Sequence, residues 1–397
     1  MAFIGYATPV FIFSQAQQPA PVGQAYNAGS CRGHYMIIYR NLRLSRDRQL
    51  LLRPFTARTT LQVTRRLGYP RLDAAASMST ASEFGFGPSA GPSDTRPASL
   101  QPLTACAMLV LYTAIYVLPL YISPASRPSP TLSRDDPAVI RTRITSVLLS
   151  TAVCSALTYV ILACLPDGAL PFGPLHAMGY WPLGIVESAT CLTLTATLFA
   201  APLYETLLID GVWEDWRALD PLVRVWTQWT TWRNIVMGPL TEEMLFRSAS
   251  VPLLLCARMS LTQTIFMSPV IFGLAHVHHF YEFRINHPKV PLVAAIARSV
   301  IQFGYTSLFG AYATFLFLRS GSLLAIVLVH AFCNAMGLPR FWGAVEPYWH
   351  VRGHYTQADS RKWTFVYYGL LFAGAFFWWR GLLPLTESSV SLVPQGA

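Results

Sequence analysis

The chain has 397 residues, of which 53% are hydrophobic and only 12% are charged, and its formal net charge is +10 at pH 7. So apolar a composition excludes an ordinary soluble fold and makes the lipid bilayer the first candidate for its surroundings. The positive charge does not indicate a nucleic-acid partner, because most of it comes from ten arginines within residues 1–77, where only Asp47 and Asp73 oppose them.

The N-terminal segment, residues 1–102, differs in composition from the rest of the chain. Residues 1–77 contain no lysine, and residues 74–97 are rich in Ser, Ala, Gly and Pro, a composition that cannot bury a core and predicts disorder. The segment fits a cleaved targeting peptide, a genuine tail or sequence upstream of the true start. We favour the third interpretation, with Met78 as the initiator, followed by a membrane domain over residues 103–384 and a short tail over residues 385–397.

Apolar runs dominate the sequence after this segment. A membrane-spanning helix needs ~20 apolar residues, and about eight runs approach that length. They predict an all-α, polytopic integral membrane protein whose helices enclose an intramembrane catalytic chamber. The predicted spans are Leu103–Ile122, Ile144–Leu165, Ala189–Ile209, Pro239–Ala257, Thr262–His279, Val293–Leu318, Ser322–Met336 and Trp363–Leu383.

The loops between these runs differ in charge. Lys and Arg collect in the cytosolic loops of membrane proteins, and the four odd-numbered loops carry nearly all of those in the predicted domain. This pattern predicts odd loops in the cytosol and both termini in the lumen. A basic N-terminal arm opposes that orientation, which favours the start at Met78. The loops over residues 210–231 and 341–361 are rich in Trp and charge, and we assign them to the interface and to substrate access.

Ionisable side chains inside apolar segments are costly, so they indicate function. The first group lies in the sequence G-P-L-T-E-E-M-L-F-R, residues 238–247. Glu243 and Arg247 are spaced i, i+4 and can pair on one helix face. Glu242 lies beside Phe246 without that partner, which makes it the better candidate for a general base. The structural alternative is a surface ion-pair cluster at a helix end.

Histidines supply the second and third groups. His276 ends the fifth predicted span and is expected to lie deepest, with His278 and His279 closer to the loop. His330 and Asn334 are spaced i, i+4 in the seventh span, where two donors on one face can hold a developing oxyanion. The alternatives are interfacial histidines and hydrogen bonding between neighbouring helices. The predicted topology brings all three groups toward the cytosolic face.

These motifs, E-E-x-x-x-R, F-x-x-x-H and H-x-x-x-N on separate predicted membrane helices, resemble the type II (Rce1-type) CaaX prenyl protease branch of the CPBP/abortive-infection membrane protease family. The resemblance covers roughly residues 103–384. It implies that the Glu242 carboxylate activates water with His276 assisting, and that His330 and Asn334 stabilise the oxyanion. The catalytic set that it implies is Glu242, Glu243, His276, His330 and Asn334, with structural and orienting roles for Arg247, Phe246 and Phe272.

The same resemblance implies a substrate and a place in the cell. It predicts removal of the C-terminal -aaX tripeptide from farnesylated or geranylgeranylated CaaX proteins, such as Ras-like and Rho-like GTPases, at the cytosolic face of the endoplasmic reticulum membrane. A chamber within the bilayer suits this substrate, because the prenyl chain partitions into lipid while the peptide stays at the interface.

No cofactor and no metal are expected. The seven cysteines show no C-x-x-C spacing, and the sequence lacks H-E-x-x-H, so a zinc site is disfavoured although Glu and His side chains could bind zinc. Three alternatives stay open: a zinc-dependent membrane protease, a member of the same family with another peptide substrate, and a non-catalytic scaffold or transporter whose intramembrane charges bind an ion or a helper protein.

Overall fold

The computed structural model describes residues 100–166, 170–349 and 357–393. All of them belong to one compact unit, and the second unit, Pro9–Thr80, lies outside the described residues. The predicted disorder of the N-terminal segment and the proposed start at Met78 also fall outside them. Within the described residues the regular structure is helical, apart from an isolated bridge between Ser129 and Leu132.

Proline starts many of the helices in the first part of the described chain. Its missing N–H is tolerated in the first helical turn, where that group has no partner within the helix. At the start of one long helix, Asp136 adds a cap by accepting the Ala138 N–H at 2.8 Å. The helices are α1 Pro102–Val117, α2 Pro119–Ile122, α3 Pro137–Ala163, α4 Pro174–Ala177, α5 Ile185–Leu198 and α6 Ala200–Tyr204, which continues as a π-helical turn, Glu205–Ile209.

The next part of the chain consists of short helices joined by π-helical turns. The predicted span Pro239–Ala257 is interrupted here by the π-turn Met244–Ala249. Pro252, shortly after it, lacks the N–H for an α-helical bond, and the Ser250 hydroxyl donates to the Leu245 carbonyl at 2.8 Å. The elements are α7 Val212–Arg217, α8 Asp220–Thr227, α9 Trp229–Trp232, the π-turn Arg233–Met237, α10 Gly238–Glu243, the π-turn Met244–Ala249 and α11 Val251–Cys256.

The last part contains the longest helix. It comprises α12 Leu261–Ala275, α13 His278–Asn286, α14 Leu292–Ser320, α15 Leu323–Met336, α16 Gln357–Gly381 and a 3₁₀ turn, Pro384–Thr386. The α12 helix is shorter than the predicted span, which ran to His279. Its last carbonyls are taken by imidazoles, since Nδ1 of His276 bonds the Phe272 carbonyl at 2.8 Å and Nδ1 of His278 bonds the Ala275 carbonyl at 2.6 Å.

Several helices are suited to a bilayer by length and composition. Within the described residues three stretches are long and apolar enough to cross a membrane, namely Pro102–Ile122, Pro137–Ala163 and Leu292–Ser320. A fourth results if α5 and Ala200–Ile209, which meet at a bend of 79°, form one broken span. The α15 helix is apolar but shorter. The chain is therefore an all-helical, multi-pass membrane protein.

The segment from α10 to α11 lies between two apolar clusters. One cluster joins it to α1, α3 and α12, and the other joins it to α5, α14 and α15. Side chains of this segment are therefore covered from both sides. Members of the first cluster include Leu109, Tyr112, Phe246, Leu253 and Phe272, and members of the second include Leu194, Val251, Phe317, Ile326 and Val329.

A C-terminal segment, residues 388–393, covers the tight turn between α14 and α15. Gly321 makes that turn with a φ of +57°, and a Cβ there would collide with the Val390 carbonyl. The Leu392 N–H donates to the Leu318 carbonyl at 2.8 Å, and His176 bonds the Val390 carbonyl at 2.8 Å. The segment therefore fixes the turn that leads into α15.

Candidate active site

The two adjacent carboxylates at the end of α10 are both buried. Glu242 is 2% exposed and Glu243 is 0% exposed. The predicted pair of Glu243 with Arg247 is present, with 3.2 Å between Oε1 and Nη1, and Nη2 of Arg247 donates to the Gly310 carbonyl at 3.2 Å. Because Arg247 is itself fully buried, the alternative of a surface ion-pair cluster is wrong.

Aromatic rings hold the Arg247 guanidinium in place. Its central carbon lies 4.6 Å from the centroid of the Phe272 ring and 5.9 Å from that of Phe309. Phe246 meets Phe272 edge to face at 4.9 Å between centroids. Such cation–π contacts stabilise a guanidinium that is removed from water. Phe272, singled out from the sequence, thus covers the buried charge, and Phe246, also singled out, packs against Phe272.

His330 on α15 connects the two carboxylates. Its Nδ1 lies 2.6 Å from Oε1 of Glu243, and its Nε2 lies 3.9 Å from Oε2 of Glu242. An ionised carboxylate only accepts hydrogen bonds, so Nδ1 donates to Glu243 and Nε2 faces Glu242. The ring packs against Phe309, with 4.6 Å between centroids. His330 is therefore aligned by the same carboxylate that pairs with Arg247.

His276, directly after α12, is fixed through one of its ring nitrogens. Its Nδ1 bonds the Phe272 carbonyl at 2.8 Å, and since a carbonyl can only accept, the proton of the neutral ring is on Nδ1. Nε2 is then a lone-pair acceptor. His276 and His330 both act electrostatically on Glu242. The structure thus brings His276, His330 and Glu242 together from three separate helical segments.

The neighbouring histidines have other contacts. His279, expected near the loop, is 2% exposed, and its Nδ1 lies 3.2 Å from Oε2 of Glu282. The His278 ring meets Tyr121 edge to face at 5.8 Å. Instead of a loop, the chain forms α13 at this point, so the histidines begin a polar layer that continues away from Glu242.

Asn334 lies one turn beyond His330 on α15. Its Nδ2 donates to the Asn234 carbonyl at 2.9 Å, which fastens α15 to the π-turn before α10. Its Oδ1 is buried without a hydrogen-bond donor among the described residues. One Nδ2 hydrogen is thus used for packing, as the structural alternative proposed, and the second is left for a ligand.

Four residues at the site were not identified from the sequence. The Tyr116 hydroxyl bonds Oγ1 of Thr241 at 3.0 Å, directly before the two carboxylates. The Asn234 carbonyl accepts from Asn334 on α15. Phe309 and Gly310 both contact the Arg247 guanidinium. A glycine inside an apolar helix is a signal for close approach and could have identified Gly310. The other residues have no such local signal.

The fold and site together define a class of protein. Within the described residues no group of three or more His, Cys, Asp or Glu side chains could hold a metal ion. Two buried carboxylates, two imidazoles and an amide instead converge between membrane helices. Such groups can accept a proton from water and donate to an oxyanion, as in a membrane-embedded hydrolase.

Comparisons with known proteins identify the family. Residues 224–336, which contain all five predicted catalytic residues, match the family described as type II CAAX prenyl endopeptidase Rce1-like. The chain is 39% identical over 269 residues to a probable CAAX prenyl protease 2 of Schizosaccharomyces pombe, covering 68% of this chain and 89% of that protein. The chain belongs to this family of type II CAAX prenyl endopeptidases.

Two further relatives carry the name CAAX prenyl protease 2. The human protein is 38% identical over 229 residues, covering 54% of this chain and 66% of the relative. The Arabidopsis thaliana protein is 50% identical over 110 residues, covering 28% of this chain and 35% of the relative. No solved structure matches the chain.

Proposed function

We propose that Glu242 is the general base that activates the hydrolytic water in this intramembrane CaaX prenyl endopeptidase. The observation that carries the assignment is the position of Glu242 beside two imidazoles. Its Oε2 lies 3.9 Å from Nε2 of His330, and His276 also acts on it electrostatically. Glu243 is engaged by Arg247 at 3.2 Å and by Nδ1 of His330 at 2.6 Å, which suits an orienting group, and we assign proton transfer to Glu242.

The acceptors beside Glu242 define how a water molecule is oriented. A water that donates one hydrogen to the Glu242 carboxylate and the other to Nε2 of His276 points a lone pair away from both. That lone pair attacks the carbonyl carbon of the prenylated cysteine while Glu242 takes the proton. When the tetrahedral intermediate collapses, the C–N bond breaks and Glu242 returns the proton to the leaving amine of the -aaX tripeptide.

His330 and Asn334 stabilise the oxyanion of that intermediate. Because Nδ1 of His330 is bonded to Glu243, the ring reaches an oxyanion only through Nε2, and it donates there when it is doubly protonated. The second donor is the Nδ2 hydrogen of Asn334 that does not bond Asn234. Donors fixed in advance cost no reorganisation when charge develops.

The setting of the site also belongs to the proposal. We assign the catalytic domain to residues 103–384 with about eight membrane spans, the number of runs near the ~20-residue crossing length. The active site faces the cytosol from the endoplasmic reticulum membrane, and the substrates are prenylated CaaX proteins such as Ras-like and Rho-like GTPases. Basic odd-numbered loops and the partition of a prenyl chain into lipid support this setting.

The mechanism is proposed to be independent of metal. The donor set supports this, because Nδ1 of His330 is bonded to Glu243 and Nδ1 of His276 to a carbonyl. A catalytic zinc site usually takes three protein ligands. The groups that remain near Glu242 are too few for such a zinc site. We therefore assign the chemistry to proton transfer by the carboxylate.

The test is cleavage of a farnesylated CaaX peptide by membranes that contain the full chain, with and without a zinc chelator. Glu242→Gln is expected to lower kcat about 10³-fold, because the amide cannot take the proton. Glu187→Gln is the matched control, since this glutamate bonds Ser388 away from the site. Activity that survives Glu242→Gln refutes the assignment, and activity lost to the chelator supports a zinc enzyme instead.

A further inference from the structure

A second charged cluster lies beside the active site, where α13 meets the first loop and α3. Glu282 on α13 is 3% exposed and is the buried carboxylate of this cluster. Nη1 of Arg143 donates to its Oε1 at 2.8 Å, and Nη1 of Arg134 lies 3.5 Å from its Oε2. His279, three residues earlier on α13, joins the cluster to the histidines of the site.

Arg298 on α14 adds a further guanidinium to this cluster. Its central carbon lies 4.5 Å from the centroid of the Phe283 ring, the residue after Glu282. The charges of Glu282 and Arg134 both act on it. The groups that act on Arg298 are thus the Tyr305 phenol, one other guanidinium, one carboxylate and the Phe283 ring, so positive charge exceeds negative charge here.

The donors of this cluster are unequally used. Nε and Nη2 of Arg143 both donate to the Ser126 carbonyl, and its Nη1 is bonded to Glu282, which fixes this side chain as structure. Nη1 of Arg298, in contrast, is buried without an acceptor among the described residues. A buried guanidinium N–H without an acceptor is costly, and a bound anion removes that cost.

A short series of contacts joins the catalytic groups to this cluster. The centroids of His276 and His279 are 5.8 Å apart, Nδ1 of His279 is 3.2 Å from Glu282, and Nη1 of Arg134 is 3.5 Å from Glu282. Three extended residues span ~10 Å. The cluster is thus a neighbour of the site on the scale of a tripeptide.

We propose that Arg298, with Arg134 beside it, binds the terminal carboxylate of the -aaX tripeptide. This inference rests on the proposed function and assigns the residue that measures the tripeptide from the scissile bond. Guanidinium groups bind carboxylates with two parallel hydrogen bonds, which gives both attraction and direction. Glu282 holds the positive groups in place and leaves Arg298 for the substrate.

The experiment compares two farnesylated peptides that differ in ending with a free carboxylate or with a primary amide. The wild-type chain is expected to cleave the carboxylate peptide with roughly 10- to 100-fold higher kcat/KM, mostly through KM. Arg298→Gln removes this preference by lowering only the carboxylate rate, and Arg298→Lys restores part of it. Arg319→Gln, at the other end of α14 and bonded to Thr386 and Leu383, keeps the full preference.

Binding of both peptides to the Glu242→Gln chain gives a second readout that does not need turnover. A wild-type chain that cleaves both peptides equally, or an Arg298→Gln chain that loses both activities equally, overturns the inference. An effect of Arg298→Gln that depends only on anionic lipid assigns the residue to a headgroup and also overturns it. Absence of any cleavage combined with carboxylate-dependent binding instead contradicts the proposed catalysis and supports the carboxylate site.

Discussion

Adjacent residues in this chain have opposite structural demands. Glu243 contacts Arg247 at 3.2 Å and His330 at 2.6 Å, whereas Glu242 is the carboxylate to which we assign proton transfer. Removing a group that orients its neighbours can destabilise the fold, while removing a group that transfers a proton need not. Activity alone does not separate the two proposed roles, because loss of either carboxylate is expected to disable the site.

The free energy of unfolding separates the orienting role of Glu243 from the proton-transfer role of Glu242. Glu243→Gln leaves the buried Arg247 without its counter-charge, so we expect the free energy of unfolding to fall by about 3–5 kcal/mol. Glu242→Gln leaves the pair of Arg247 with Glu243 in place and is expected to lower it by a smaller amount, about 1 kcal/mol. Denaturant unfolding of the purified proteins in detergent measures both values. Equal stability of the two variants would contradict the division of roles.

At the scale of the helices, the site depends on the close approach of α14 to α12. A Cβ on Gly310 would lie 2.9 Å from the Pro269 side chain and 3.1 Å from Nη2 of Arg247. Gly310→Ala is therefore expected to destabilise the protein by about 1–3 kcal/mol through overpacking and to lower kcat by displacing the cation. Thermal unfolding and peptide cleavage measure the two effects.

A matched control lies on the same helix. A Cβ on Gly304 meets nothing within 4 Å. Gly304→Ala should therefore stabilise α14 by up to about 1 kcal/mol, the usual gain from replacing glycine within a helix, and leave kcat unchanged. If both alanine variants behaved alike, helix propensity rather than close packing would explain the Gly310 result.

Sequence patterns within one helix predicted part of the candidate site. Contacts between residues far apart in the sequence could not be predicted. The i, i+4 spacing correctly paired Glu243 with Arg247, because that distance is set within one helix. The 2.6 Å contact of Glu243 with His330 joins residues 87 apart in sequence, for which hydropathy contains no information. The π-turn over Met244–Ala249 was also missed, since apolar composition looks the same in a continuous and an interrupted helix.

At the scale of the whole molecule, the charge pairs of Glu282 join distant parts of the chain. Burial alone would raise the pKa of Glu282, but Arg134 and Arg143 outweigh it and hold that pKa below its ordinary value of 4.5. A carboxylate with a lowered folded-state pKa stabilises the protein above its unfolded pKa. That contribution is lost as the pH falls through the folded value.

This linkage gives a pH-dependent prediction. The wild-type chain should be more stable than Glu282→Gln by roughly 2 kcal/mol at neutral pH, with the difference constant down to about pH 5 and shrinking below pH 4.5. Thermal unfolding of both proteins across this range measures the difference. Glu214→Gln is the control, because this glutamate lies at the surface and accepts from the Tyr348 hydroxyl at 2.8 Å. A difference that grows on acidification would contradict the sign.

The segment over residues 388–393 adds a requirement of timing. It covers the turn between α14 and α15 through Val390 and Leu392, yet a ribosome makes it after Glu242, His276 and His330 have all been translated. The turn that sets the direction of α15 is thus uncovered until these last contacts form. The placement of His330 on α15 therefore depends on residues that are made after every residue of the candidate site.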